Sequence, residues 1–113
     1  MSAYRVTIYN EFIHEQRNPE VKALYPDGIH GAIGNALLAE SDMTVRYATL
    51  EMPEHGLSQD VLDETDVLIW WGHVAHDKVA EAVVDRVQSR VLAGMGLIVL
   101  HSGHLSLVPR EPN

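Results

Sequence analysis

The sequence predicts an α/β domain built on a parallel, doubly wound sheet. Four short apolar segments alternate with segments of helical periodicity, which gives the order β-α-β-α-β-α-β. Two of these segments, 66–71 and 96–101, are apolar almost throughout, as is typical of strands buried on both faces of a parallel sheet. Right-handed crossovers between such strands would place helices on both faces of the sheet.

Each of the four predicted strands has its own local signal. The segment 4–9 alternates between apolar and polar residues and is rich in β-formers, and the segment 44–50 has a similar composition. The third and fourth strands are the apolar runs 66–71 and 96–101, and we expect both to be covered on both sides.

The connecting segments predict three helices and one long loop. Residues 10–28 carry two prolines and no clean period, so we expect a long loop there. Apolar residues at helical spacing predict a helix over 28–40, and Ser58 is a good N-cap for a short helix. In the third helix valines recur every four residues from Val79 to Val91, with Asp77 as the expected cap and a glycine stop at Gly94.

Composition narrows the class of protein. The chain has 113 residues, which suits one domain, and its formal charge of −8 disfavours nucleic acid or an anionic membrane as a partner. It has no cysteine, which excludes disulfides and a cysteine nucleophile. The start of the chain resembles no signal peptide, and no apolar run is long enough to cross a membrane, so we expect a cytoplasmic protein.

The histidines are the most informative residues, because six of the seven lie in four short segments near predicted strand ends or before a helix. Ligands of open parallel sheets bind beyond the carboxyl ends of the strands, so these segments are expected to line one cleft. His55 is the exception. The four segments are Asn10-Glu11-Phe12-Ile13-His14-Glu15, Tyr25-Pro26-Asp27-Gly28-Ile29-His30, Gly72-His73-Val74-Ala75-His76-Asp77 and His101-Ser102-Gly103-His104.

Three chemistries compete for this cleft. The first is a divalent metal such as zinc, held by the His-x-x-His pairs, with Glu15 or Asp77 as an oxygen ligand. The second is metal-free acid–base catalysis by histidine, with Glu15 and Asp27 as carboxylate partners. The third is a nucleophile at Ser102, although its flanks do not match the Gly-x-Ser-x-Gly pattern. The competing structural interpretation has His73 and Asp77 capping a helix and the other rings bonded near the surface. If the cleft holds a metal, the expected ligands are His73, His76, His101 and His104.

The aromatic residues predict how a ligand would be contacted. Trp70 and Trp71 are adjacent in a strand and should face opposite sides, one in the core and the other near the strand end, where it could stack on a sugar ring. Core packing is the favoured interpretation for both. Phe12 and Tyr25 are expected to touch a ligand from the loop. No Gly-x-Gly-x-x-Gly or Walker pattern is present, so no nucleotide cofactor is expected.

Taken together, the four histidine segments and the pair Trp70-Trp71 resemble the ThuA-like trehalose utilisation proteins, over about residues 4–106. That family belongs to the class I glutamine amidotransferase-like superfamily, which implies a flavodoxin-like three-layer α/β/α sandwich. His101 stands where the amidotransferases carry their cysteine, so the resemblance argues against glutamine hydrolysis. It implies instead a role on trehalose or related disaccharides, through keto-sugar intermediates.

The resemblance and the chemistry together give a set of expected site residues. His73 and His101 are the expected acid–base or metal-binding groups, with His14 and Glu15 opposite them. The expected substrate-binding residues are Phe12, Tyr25, His30, Trp71, Asp77 and Ser102. The alternatives to an enzyme are a non-catalytic sugar-binding or assembly domain and an inactive fragment of a longer gene.

The family's domain continues beyond the His-Ser-Gly-His segment, whereas residues 107–113 do not follow its pattern. We therefore expect a partial, apparently truncated domain over 1–106 and a disordered tail over 107–113. A truncated sheet would leave an edge strand unpaired and apolar surface uncovered. This predicts a marginally stable chain that forms a homo-oligomer or aggregates.

Overall fold

The computed structural model describes residues 4–39, 42–72 and 78–101. Within them lie four strands, all parallel, in the sheet order β2-β1-β3-β4. The alternation of strands with helices confirms the predicted α/β, flavodoxin-like class. The strands are β1 (Tyr4–Asn10), β2 (Met43–Thr49), β3 (Val67–Gly72) and β4 (Gly96–His101). The helices are α1 (His14–Arg17), α2 (Pro19–Leu24), α3 (Gly28–Leu38), α4 (Gln59–Asp63) and α5 (Glu81–Leu92).

Apolar residues on the two faces of the sheet form two separate cores. On one face the valines of α5 pack against Leu68 and Trp70 of β3, together with Leu62 of α4. On the other face Ile8 and Ile69 meet the apolar side of α3. Helices thus cover both faces, which is the three-layer arrangement that the two-sided apolar strands predict.

The central strand β1 is buried from Val6 to its last residue, Asn10. Of its buried polar side chains, Thr7 and Asn10 are hydrogen-bonded. Thr7 is 2% exposed, and its hydroxyl bonds to the hydroxyl of Thr65, just before β3, at 2.7 Å. This bond ties the two middle strands together on the face that carries α4 and α5.

The predicted long loop over 10–28 is wrong, because it contains two short helices. Asn18 caps α2 by accepting the backbone N–H of Glu20, and Pro19 occupies the first turn, where its missing N–H costs nothing. Helices of four and six residues show too few turns to create an apolar period, so the sequence pattern did not reveal them.

The start of α5 also differs from the prediction. Asp77 was expected as its cap, but the helix begins at Glu81 with Ala80 in the cap position. Val79 is fully buried before the helix starts, so the first valine of the periodic series belongs to the loop. The C-terminal signal is confirmed, because Gly94 follows the cap residue with a φ of 115°. Ser58 likewise caps α4 through a bond from the N–H of Val61.

Strand β4 is not buried on both sides as predicted. It is an edge strand of the described sheet, and Ile98 in its middle is 49% exposed. An apolar run cannot distinguish a central strand from an edge strand, because strand order is a property of the whole fold.

The predicted homo-oligomer stays a prediction, which sedimentation velocity would test. No described helix is long and apolar enough to cross a membrane.

Candidate functional site

The carboxyl ends of the strands meet along one edge of the sheet, which we call the carboxyl edge. It is formed by the last residues of the four strands, and the strand register places them side by side. Those residues are Asn10, Thr49, Gly72 and His101. Of the predicted segments, the one after β1 and the one that opens α3 lie at this edge, and His101 ends β4 there.

A buried polar network lies where β1 ends. The side chains of Asn10 and Glu15 are 0% and 2% exposed, and the Asn10 amide donates to Glu15 Oε2 at 2.5 Å. The same oxygen accepts the backbone N–H of Ile29 at 2.9 Å, in the first turn of α3. Asp27, in the cap position of α3, makes no side-chain cap bond to the described residues. Glu15 instead accepts an N–H of the first turn, and its negative charge is favourable at this helix N-terminus.

The two oxygens of this carboxylate differ in their bonding. Glu15 Oε2 carries two hydrogen bonds, whereas Oε1 is buried and bonds to none of the described residues. A buried acceptor without a donor is costly, so it commonly marks a place where a ligand or water binds.

His30 is joined to this network. Its Nδ1 atom lies 3.1 Å from the amide nitrogen of Asn10. The rings of Phe12 and Tyr47 contact it edge-on, with ring centroids at 5.0 and 5.4 Å. Burial lowers the pKa of His30 below its ordinary value, and the nearby charges of Glu15 and Asp27 act in the opposite direction. The neutral imidazole is therefore favoured.

The backbone around His30 is shaped to admit its ring. Gly28 has a φ of 80°, and a Cβ atom there would come within 2.5 Å of His30 Cε1 and 3.0 Å of the Phe12 ring. Phe12 itself has a φ of 59°, which is uncommon for a residue with a side chain and occurs often at functional sites. The glycine thus provides the space that His30 occupies.

The two tryptophans face opposite sides, as predicted. Trp70 is fully buried and stacks on Tyr9, with ring centroids 4.0 Å apart, whereas Trp71 is half-buried. The Trp71 ring lies 5.5 Å from the ring of His101, which has a φ of 60°. The carboxyl edge therefore carries a second aromatic and histidine pair at β3 and β4. Within the core, Tyr9 Oη and Trp70 Nε1 are both buried and make no hydrogen bond within residues 4–39, 42–72 and 78–101.

Tyr25 lies apart from these groups. It is 39% exposed and lines a shallow groove of about 200 Å³ beside the first turns of α3. Asp27 and Asn35 contribute polar groups to the same groove. The structure therefore brings Phe12, Glu15 and His30 together but leaves Tyr25 on the flank of α3.

Several predicted site residues lie outside the described residues: His73, His76, Asp77, Ser102 and His104. His14 is the first residue of α1, and only its backbone belongs to the described part of the structure. Among residues 4–39, 42–72 and 78–101, no group of three metal-ligating side chains is assembled. Of the four predicted metal ligands only His101 is in this part of the chain, so the metal site stays a prediction.

His55, the exception in the sequence pattern, has a structural role that sequence reasoning missed. It follows β2 and bonds to the carbonyl of Leu50 through Nδ1 at 2.7 Å. The N–H of Ala80 donates to its Nε2 at 3.0 Å. His55 therefore lies near the carboxyl edge too, but both of its nitrogens are used to join the loop after β2 to the start of α5.

Two comparisons with known proteins bear on the family of this chain. Comparison with curated proteins gave no match. The family model ThuA, described as trehalose utilisation, matches residues 5–111. That span covers nearly the whole chain and all four histidine segments. The chain therefore belongs to the ThuA family of trehalose utilisation.

Proposed function

We propose that this protein binds a keto-sugar intermediate of disaccharide utilisation at the carboxyl edge and acts on it by histidine chemistry. The observation that carries the proposal is the buried network of Asn10, Glu15 and His30 at the end of the central strand. Polar groups held in this way are preorganised, which is what recognition of a sugar carbonyl or hydroxyl requires. Membership of a trehalose utilisation family supports the class of substrate.

The surroundings of the network suit a sugar. The rings of Phe12 and Trp71 are both half-buried and lie at the ends of the two central strands. Such rings supply apolar area for the C–H face of a sugar, while the histidines supply hydrogen bonds. We assign His30, Phe12 and Trp71 to substrate binding, together with Asp77 and Ser102.

For the chemical step, we assign proton transfer to His101 and His73, with His14 and Glu15 opposite them. His101 is at the surface end of β4 beside Trp71. Histidine titrates near neutral pH and so can give and take a proton during a reaction. The burial and bonding of Glu15 favour a supporting role for its carboxylate over direct proton transfer.

A divalent metal held by His73, His76, His101 and His104 is the rival chemistry, and zinc is the ion that suits this ligand set. Elemental analysis of protein purified without a histidine tag tests it. A stoichiometric metal whose removal by chelator abolishes turnover would favour it. Substoichiometric metal and no effect of the chelator would end it.

The test of the function uses a 3-keto disaccharide, with binding measured by calorimetry and turnover followed by chromatography. We expect His101→Ala and His30→Ala to lower kcat/KM by about 100-fold or more, the usual cost of losing an acid–base or carbonyl-stabilising group. The control is Asp85→Asn on the exposed side of α5, which should leave both readouts unchanged. Binding without turnover would favour the non-catalytic sugar-binding alternative, and neither binding nor turnover would refute the proposal.

A further inference from the structure

The amide of Asn10 has only one orientation that satisfies its neighbours. Its Oδ1 atom accepts the backbone N–H of Phe12 at 3.1 Å. Its Nδ2 atom faces Glu15 Oε2 at 2.5 Å and His30 Nδ1 at 3.1 Å. A flipped amide would set its oxygen against the carboxylate and its N–H₂ against a backbone N–H, so both contacts would become repulsive.

This orientation determines where His30 carries its proton. An amide nitrogen has hydrogens to donate and no acceptor to offer, so His30 Nδ1 must present a lone pair. In a neutral imidazole the proton is then on Nε2. Protonation of both nitrogens would remove the bond from Asn10 to Nδ1, and none of the described residues hydrogen-bonds to Nε2.

Packing fixes the ring in this arrangement. The edge-on contacts of Phe12 and Tyr47 confine the ring from two sides, and Gly28 lies against Cε1 and Nδ1. Glu15 in turn fixes the amide, because its Oε2 bridges Asn10 and the first turn of α3. The chain of contacts runs from the start of α3 through Glu15 and Asn10 to His30.

We propose that Asn10 is a positioning residue that holds His30 in the Nε2–H tautomer, so that His30 serves as a hydrogen-bond donor to the substrate carbonyl and not as a base. The donor role rests on the proposed function, whereas the tautomer does not. A donor must already carry its proton when the substrate binds, and this network provides that without the substrate. The base would then come from elsewhere along the carboxyl edge.

The strand order supports this division of roles. His30 contacts the end of β1, and His101 ends β4, which lies two strands away in the sheet. Two strand spacings separate these positions by about 10 Å. The two imidazoles are therefore placed to contact opposite ends of a sugar ring and not the same atom.

The tautomer is tested by nitrogen-15 NMR of the imidazole groups in the full chain, without any ligand. We expect Nε2 of His30 to carry the proton in the wild-type protein and Nδ1 to show the shift of an unprotonated nitrogen. In Asn10→Asp the amide donor is lost, and we expect the proton to move to Nδ1. Glu15→Gln keeps an acceptor for Asn10 and for Ile29, so its tautomer should match the wild type.

The matched control is Asn18→Asp, the same change at the exposed cap of α2, where an aspartate can still accept the N–H of Glu20. It should leave the spectrum of His30 unchanged. A wild-type protein with the proton of His30 on Nδ1 would overturn the inference, as would an Asn10→Asp variant with the wild-type tautomer. Because the wild-type spectrum alone can refute the idea, the test does not depend on the variants folding.

Activity supplies the second readout. With the 3-keto disaccharide, Asn10→Asp should lower kcat at least tenfold with a smaller change in KM, while the control variant Asn18→Asp should retain the wild-type kcat. An equal loss in both variants would contradict a positioning role for Asn10. A wild-type protein with the expected tautomer that neither binds nor converts the sugar would instead refute the proposed function and leave the tautomer standing.

Discussion

Replacement of Gly28 by alanine is the sharpest test of how the site is built. Gly28 has a φ of 80°, a conformation that residues with a Cβ atom adopt at a cost of about 1–2 kcal/mol. The added Cβ would also lie 2.5 Å from His30 Cε1 and 2.8 Å from Nδ1, far inside van der Waals contact. The His30 ring must therefore move.

The movement of the ring has its own cost. Displacing His30 breaks its bond with Asn10, worth about 1 kcal/mol, and moves the ring from its preferred rotamer, at about 1 kcal/mol more. We therefore expect Gly28→Ala to lower the free energy of unfolding by about 3–4 kcal/mol. In a domain of 113 residues that corresponds to a fall in Tm of about 4 °C for each kcal/mol.

Gly94 offers a matched control for this substitution. Its φ of 115° is also unfavourable for alanine, but no atom of the described residues lies within 4 Å of an added Cβ. Gly94→Ala should therefore cost only the backbone strain, about 1–2 kcal/mol. Urea denaturation followed by tryptophan fluorescence measures both variants. If Gly28→Ala were no less stable than Gly94→Ala, the close packing of His30 against Gly28 would be refuted.

Three further predictions concern stability. His55→Ala removes the bonds to Leu50 and Ala80 and should lower the free energy of unfolding by about 1–3 kcal/mol in urea denaturation; an unchanged midpoint would contradict the bridging role. Trp70→Phe should cost clearly less than the roughly 3–5 kcal/mol expected for Trp70→Ala, because the buried Nε1 bonds to nothing in the described part of the chain, and equal losses would argue against this. Burial lowers the pKa of His30 in the folded state below the ordinary value of 6.5, which applies to the unfolded state. Below pH 6.5 the unfolded state therefore binds a proton that the folded state does not yet bind. Stability should therefore fall as pH drops through 6.5 until the lowered folded pKa is passed, and His30→Gln should flatten that part of a denaturation-against-pH curve.

The sequence predicted the sheet better than its connections. Strands such as 4–9 and 96–101 carry enough apolar or β-branched residues to be recognised locally, and their bounds agree with the structure within a residue. The short helices α1 and α2 were missed because two turns or fewer show no period. The exposure of Ile98 was missed for a different reason, since it depends on which strand lies at the edge.

For the site, the sequence predicted which segments lie at the carboxyl edge, but not the hydrogen bonds between their side chains. The pattern predicted that the segments carrying Glu15 and His30 lie at one edge of the sheet, but it set Glu15 opposite His73 and His101 and did not predict its network with His30. The mediating role of Asn10 could not be predicted, because it depends on the direction of one amide in three dimensions. His55 lies outside the four histidine segments, and no local pattern around it predicted the bridge to Ala80.

The central position of β1 has a consequence for how the chain folds. Its neighbours β2 and β3 begin at Met43 and Val67, and the bond between Thr7 and Thr65 spans 58 residues. Contacts so distant in sequence require large loops to close before they contribute stability, which slows folding. During synthesis, β1 leaves the ribosome before either neighbour and has no second partner until the residues of β3 have emerged. The apolar side chains of β1, such as Ile8, are exposed in that interval, so early chaperone contact would be expected on this strand.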